Sequence, residues 1–90
     1  MATTFVQHHV ADYDAWRRVY DGVADLQRAG GVIEEAVYRA AADPDDVLVM
    51  HRFATADEAR AFFENPELRQ AMVDAGVDMG SFRLELYEEA

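Results

Sequence analysis

Ninety residues make one domain, and a chain of that size buries only about two thirds of its unfolded surface. The formal net charge of -10, from 18 acidic residues against 8 arginines and no lysine, opposes phosphate backbones and anionic headgroups, so neither a nucleic-acid nor a membrane partner is expected. The absence of cysteine excludes disulfides, thiolate metal sites and a cysteine nucleophile.

Thr3 to Val10 is short, β-rich and apolar on alternate positions, which predicts a strand. Asp12 can cap the helix that follows. From Tyr13 to Ala29 the residues Trp16, Val19, Tyr20, Val23 and Leu26 recur at steps of three and four, one buried stripe along one helix. Gly30-Gly31 ends it. Val32 to Arg39 predicts a second strand and Val47 to Phe53, VLVMHRF, a third, with Asp43-Pro44-Asp45 as the hairpin turn between them. Thr55 to Glu58 fits a capping box, opening a helix whose buried side is Ala59, Phe62 and Phe63. Asn65-Pro66 restarts the chain as cap and first helical residue. Pro66 to Ala75 then presents Leu68, Ala71, Met72 and Ala75 on one side, and Gly76 stops it. Ser81 to Tyr87 is the last strand, alternating Phe82, Leu84 and Leu86 with Arg83, Glu85 and Tyr87.

With the helix broken at Asn65-Pro66 counted once, the order is βαββαβ, the ferredoxin-like α+β pattern of a four-stranded antiparallel sheet with helices on one face. Its first and third strands are central and adjacent. Residues on a strand alternate between faces, so Val6, His8 and Val10 separate from Phe5, Gln7 and His9. In the third strand Val47, Val49, His51 and Phe53 separate from Leu48, Met50 and Arg52. Both faces of this strand are largely apolar, and no element remains to cover the second one. A homodimer with sheets meeting face to face is therefore expected. The apolar content points the same way: 51% of residues are hydrophobic. No run approaches the ~20 apolar residues of a membrane span, and MATTFVQHHV lacks a positive leader region, so a cytoplasmic location is expected.

Three histidines carry the possible chemistry. His8 and His51 are expected to line one space between sheet and helices, where an enclosed imidazole can act as acid or base. His9 points to the opposite face. Its adjacency to His8 therefore does not make a metal pair, and no HxH, HExxH or carboxylate cluster predicts a metal. His8 is the first catalytic candidate and His51 the auxiliary one. Trp16, Tyr20, Phe53, Phe62 and Met72 are the candidate substrate-binding walls, Phe53 lying just before the helix that begins near Thr55. Each of these also reads as ordinary core. Arg52 on the other face needs a partner such as Glu85 or a subunit-related acid. No phosphate-binding glycine loop, nucleophile elbow or dinucleotide fingerprint is present.

The stretches VQHHVADYDAW, VLVMHRFATADEARAFF and NPELRQAMVDAGV resemble the small dimeric α+β barrel proteins, among them antibiotic-biosynthesis-monooxygenase-like proteins and small proteins assigned as cyclases. The resemblance covers essentially the whole chain. It implies two sheets facing each other in a dimer and a ligand cleft in each subunit between sheet and helices. It also implies a cofactor-free activity of the monooxygenase or cyclase type on a hydrophobic or aromatic metabolite. Members often carry a polar residue in the middle of strand one, a position that His8 matches, and a tryptophan late in strand three, where this chain has Phe53. Haem-degrading members ligate iron through a helical histidine, and no histidine follows Phe53 here, so no haem is expected. A noncatalytic small-molecule-binding dimer, or a dimer with purely structural histidines, are the other readings of the same residues.

Overall fold

The computed structural model describes all residues, Met1 to Ala90. The elements run β1 (Ala2–Val10), α1 (Tyr13–Gly22), α2 (Ala24–Ala29), β2 (Glu34–Arg39), β3 (Asp46–Phe53), α3 (Ala56–Glu64), α4 (Pro66–Asp74) and β4 (Val77–Glu88). The four strands form one antiparallel sheet in the order β2-β3-β1-β4, which puts β1 and β3 at its centre.

Local chemistry explains most boundaries. The Asp12 carboxylate accepts from the Asp14 N–H at 3.2 Å and the Thr55 hydroxyl oxygen from the Glu58 N–H at 3.1 Å. The Asn65 carbonyl accepts from the Glu67 N–H at 2.8 Å, so each N-terminus that sequence predicted carries its cap. Gly76 turns the chain from α4 into β4 at φ +80, a conformation open to glycine without strain.

Three predicted elements differ. The helix expected from Tyr13 to Ala29 is two helices. Val23 bonds back to the Tyr20 carbonyl in a tightened turn, and the Gln27 N–H restarts the ladder on the Val23 carbonyl. Gly22 and β-branched Val23 are both weak helix formers, and they meet there. The break changes the phase of the buried side and turns Gln27 inward. The second strand begins at Glu34 rather than Val32, because the Val32 N–H is committed to the Gln27 carbonyl at 3.0 Å.

β4 begins at Val77 rather than Ser81. Val77 and Asp78 pair with Val10 and His9 before a bulge shifts the register opposite His8. Ser81 holds the bulge: its hydroxyl accepts from the His9 N–H at 2.8 Å and donates to the Asp78 carbonyl at 2.6 Å. The bulge sets Phe82 against the His8 ring, with centroids 6.2 Å apart and planes 17° apart.

Alternation along the central strands is complete. Val6, His8, Val10, Val47, Val49, His51 and Phe53 are all buried on the helix side. The core has two parts. One surrounds Val6, Val49 and Trp16, and the other packs Phe53 with Ala59, Phe62 and Leu68. The opposite face of the sheet carries no helix. Phe5, Ala36, Leu48 and Met50 are half-buried there, beside exposed Tyr38 and Tyr87.

Candidate functional site

A cavity of about 50 Å³ lies between the sheet and the helices. Of its 14 lining residues only His8, Gln27 and His51 are not hydrophobic. The Val6 and Val49 pair forms the floor, with His8 and His51 toward its two ends. His8 is opposite Val47 and His51 opposite Thr4, four residues further along β1, or about 13 Å of strand. The two histidines are therefore not a pair acting on one atom. They bracket an apolar slot.

The rings are held by aromatic neighbours. Trp16 stacks on Tyr20 at 4.9 Å and meets His8 edge-on at 5.7 Å. Tyr20 lies parallel to His51 at 6.1 Å, and Phe62 and Phe63 close the other sides of that ring at 5.6 and 6.3 Å. His8 is buried with no partner on either ring nitrogen. His51 has one partner. Its Nε2 is 3.1 Å from the Tyr20 hydroxyl, and its buried Nδ1 has none. The Tyr20 hydroxyl in turn donates to Glu35 Oε1 at 2.6 Å.

Burial sets the protonation of these groups. It pushes His8 down to about 4 against the opposing charge of Asp46. It does the same to His51, down to about 4, against Glu35. Burial raises the Tyr20 phenol, and the hydrogen bond and charge of Glu35 add to that rise. At neutral pH the slot is thus flanked by two uncharged imidazoles and a protonated phenol, and three of the imidazole nitrogens are buried without partners. No group of three histidine or acidic side chains is arranged to hold a metal ion.

The architecture superposes on solved proteins along its whole length. SnoaB, a cofactor-independent oxygenase from Streptomyces nogalater, matches with a TM-score of 0.80 and 11% identity, over 99% of this chain and 92% of its own. A Deinococcus radiodurans protein assigned as an antibiotic biosynthesis monooxygenase matches at 0.77 and 16%, over 100% and 93%. One from Caulobacter crescentus with the same assignment matches at 0.79 and 15%, over 99% and 89%. The chain has the antibiotic biosynthesis monooxygenase-like fold. Neither a family model nor a curated protein matches its sequence, so the likeness is one of fold.

Within this fold the residues singled out in the sequence fall into two groups. His8, Trp16, Tyr20, His51 and Met72 line the cavity together. Phe53 and Phe62 do not; they belong to the second core cluster, behind His51. Phe63, one residue further round α3, takes the wall position instead. The apolar stripe of α3 includes both Phe62 and Phe63, and only the tilt of α3 on the sheet decides which of the two meets the cavity.

Gln27 and Glu35 were missed. Gln27 sits on a polar position of the continuous helix the sequence suggested, and its burial follows from the break at Val23. Glu35 has a legible signal in hindsight: it pairs with His51 across β2 and β3, so a carboxylate stands beside the histidine on the helix side. On the other face the His9 Nε2 lies 3.1 Å from Asp43 of the hairpin turn. Arg52 pairs there with Glu34 and Glu89 rather than Glu85, because Glu34 is its cross-strand partner.

A second, outer groove of about 430 Å³ runs along α1, α2 and the start of β2. It is lined by Arg17, Asp21, Arg28, Glu34 and Glu35 among others, and it shares Tyr20 and Gln27 with the inner cavity. Those two side chains lie between the slot and the outer groove.

Proposed function

We propose that the protein is a cofactor-independent small-molecule enzyme, monooxygenase- or cyclase-like, acting on a hydrophobic or aromatic metabolite bound between sheet and helices. The observation that supports this best is the pair of buried, neutral histidines bracketing an apolar slot with three unpartnered ring nitrogens. Buried polar atoms without partners are costly, and a ligand that supplied hydrogen bonds would recover that cost. Aromatic walls at Trp16, Tyr20 and Phe63 suit a flat ring system.

An imidazole held near 4 remains unprotonated throughout the neutral range but is a weak base. The substrate it serves must carry an acidified proton, as a phenol, a hydroquinone or a 1,3-dicarbonyl compound does. Removal of that proton leaves an electron-rich carbon. In a monooxygenase the carbon can react with molecular oxygen, one oxygen atom entering the product and the other leaving as water with two hydrogens and two electrons from the substrate itself; in a cyclase it can attack a carbonyl of the same molecule. A free volume of about 50 Å³ holds a few waters, whereas a metabolite needs several times more. Binding of a metabolite therefore requires the slot to widen. The small resting volume also favours a second reading, a noncatalytic binding protein with the same slot.

Incubation with a library of hydroquinones and polyketide-like dicarbonyls, followed by oxygen uptake and product mass, separates the readings. Gain of one oxygen supports a monooxygenase, and an isomer or loss of water supports a cyclase. Binding without turnover supports the noncatalytic reading. Substitution of the two histidines separates their parts: loss of turnover by about 100-fold or more marks the one that transfers the proton, and unchanged turnover in His8→Ala removes His8 from that role.

The same proposal includes a homodimer through the helix-free face of the sheet, where Phe5, Ala36, Leu48 and Met50 present an apolar surface. Size-exclusion chromatography is expected to give a dimer, and Leu48→Glu a monomer, because a charge in the middle of that face stays unpaired when two sheets meet. A wild-type monomer at micromolar concentration rejects this interface.

A further inference from the structure

We infer that Glu35 and Tyr20 lock His51 in the Nε2–H tautomer and so make its Nδ1 the base of the cavity. This rests on the enzymatic reading for the role of the base, and on geometry alone for the tautomer.

The argument is a count of protons. A carboxylate is an acceptor only, and Glu35 Oε1 stands 2.6 Å from the Tyr20 hydroxyl. The single phenolic proton is therefore used toward Glu35. The Tyr20 oxygen is left as an acceptor, and His51 Nε2 stands 3.1 Å from it. A hydrogen bond there requires the proton to be on Nε2. A neutral imidazole carries one ring proton, so Nδ1 has a free lone pair. That atom is buried and has no protein partner. His51 lines the cavity, and so does Tyr20.

His8 differs in kind. Neither of its nitrogens has a protein partner, so nothing in the fold selects its tautomer. It can donate to or accept from a ligand as required. The geometry thus assigns proton abstraction to His51 and substrate contact to His8, the reverse of the order suggested by sequence.

The relay also has a way out. When Nδ1 takes a proton from substrate, the ring becomes an imidazolium. Its Nε2 proton can pass to the Tyr20 oxygen as the phenolic proton passes to Glu35, which lies in the outer groove. The reverse transfer returns a proton to Nε2 and allows Nδ1–H to protonate the product. Charge and protons balance without a cofactor. Tyr20 and Glu35 are positioning residues in this scheme, and His51 is the catalytic one.

Nitrogen-15 NMR of the histidine rings at neutral pH tests the tautomer with no substrate. The expected spectrum shows His51 Nδ1 as an unprotonated ring nitrogen and Nε2 as a protonated one. Glu35→Ala frees the Tyr20 proton to donate to Nε2 and is expected to shift the population toward Nδ1–H. Tyr20→Phe, which keeps the stack on Trp16, is expected to relax the ring toward the tautomer mixture of a free imidazole, with a measurable Nδ1–H population. A wild-type Nδ1–H ring, or a tautomer unmoved in both variants, overturns the lock. Turnover that survives His51→Gln overturns the base assignment while leaving the enzymatic reading standing. The expected tautomer in a protein that turns over nothing overturns the role of base and the enzymatic reading together, and leaves the lock in place.

Discussion

Between pH 6.5 and 4 the protein is expected to lose about 3 kcal/mol of stability for each of His8 and His51. In the unfolded chain each imidazole takes up a proton near 6.5, whereas in the fold burial delays uptake to about 4. Over that interval the unfolded state binds more protons, so stability is complete above it and declines as the pH falls. The slope is about 1.4 kcal/mol per pH unit for each ring, and it ends below the folded value. The nearby charges oppose this only partly. Asp46 favours the charged form of His8 and Glu35 that of His51, and burial outweighs both. Two such contributions are comparable with the whole stability of a small domain, about 5 to 15 kcal/mol.

The acidic surface works in the other direction. With a sequence pI near 4.4, self-repulsion fades as the pH falls, which favours the compact state. Comparison with variants isolates the histidine part. His8→Gln and His51→Gln are each expected to remove about half of the excess slope in urea-unfolding free energies measured at pH 7.5, 6 and 5. A pH dependence identical in the double variant and the wild type would falsify the assignment.

Phe53→Ala is expected to cost about 3 to 5 kcal/mol, the range for a fully enclosed phenylalanine. Phe53 has 0% exposure at the end of β3 and packs on Phe62 at 5.7 Å and on the edge of His51 at 6.4 Å. The void left behind borders the most constrained residue of the site. Water entering it would solvate the His51 ring and raise its titration toward the ordinary value, so the variant should show both a lower urea midpoint and a shifted His51 titration by NMR. Should the alanine variant fail to fold, Phe53→Leu keeps most of the volume and allows the same two measurements. Val73→Ala on the exposed side of α4 serves as the control, with an effect within about 0.5 kcal/mol. A loss below about 1 kcal/mol at Phe53 contradicts the packing described.

The different fates of Phe62 and Phe63 illustrate how far a sequence can be read. The capping box and the apolar spacing establish that α3 exists and that both rings face inward. Which ring touches the cavity depends on the rotation of the helix over the sheet, and that is a property of several elements packing at once. Gln27 shows the same limit more sharply. One irregular turn at Val23, worth a small difference in local propensity, re-phases α2 and carries a polar side chain into the cavity wall.

The order of the strands and of the helical layers between them, the central place of β1 and β3 and the separation of His8 from His9 were determined by the sequence alone; the division of the first helix at Val23 was not. Their causes are local: a period of two along strands, a period near 3.6 along helices, and turn and capping residues acting within a few positions. The Glu35–Tyr20–His51 chain, the Ser81 bulge that sets Phe82 on His8 and the volume of the slot were decided only by tertiary structure. Each depends on groups far apart in sequence meeting within a few ångströms, so small changes in register and helix tilt determine whether the contact forms.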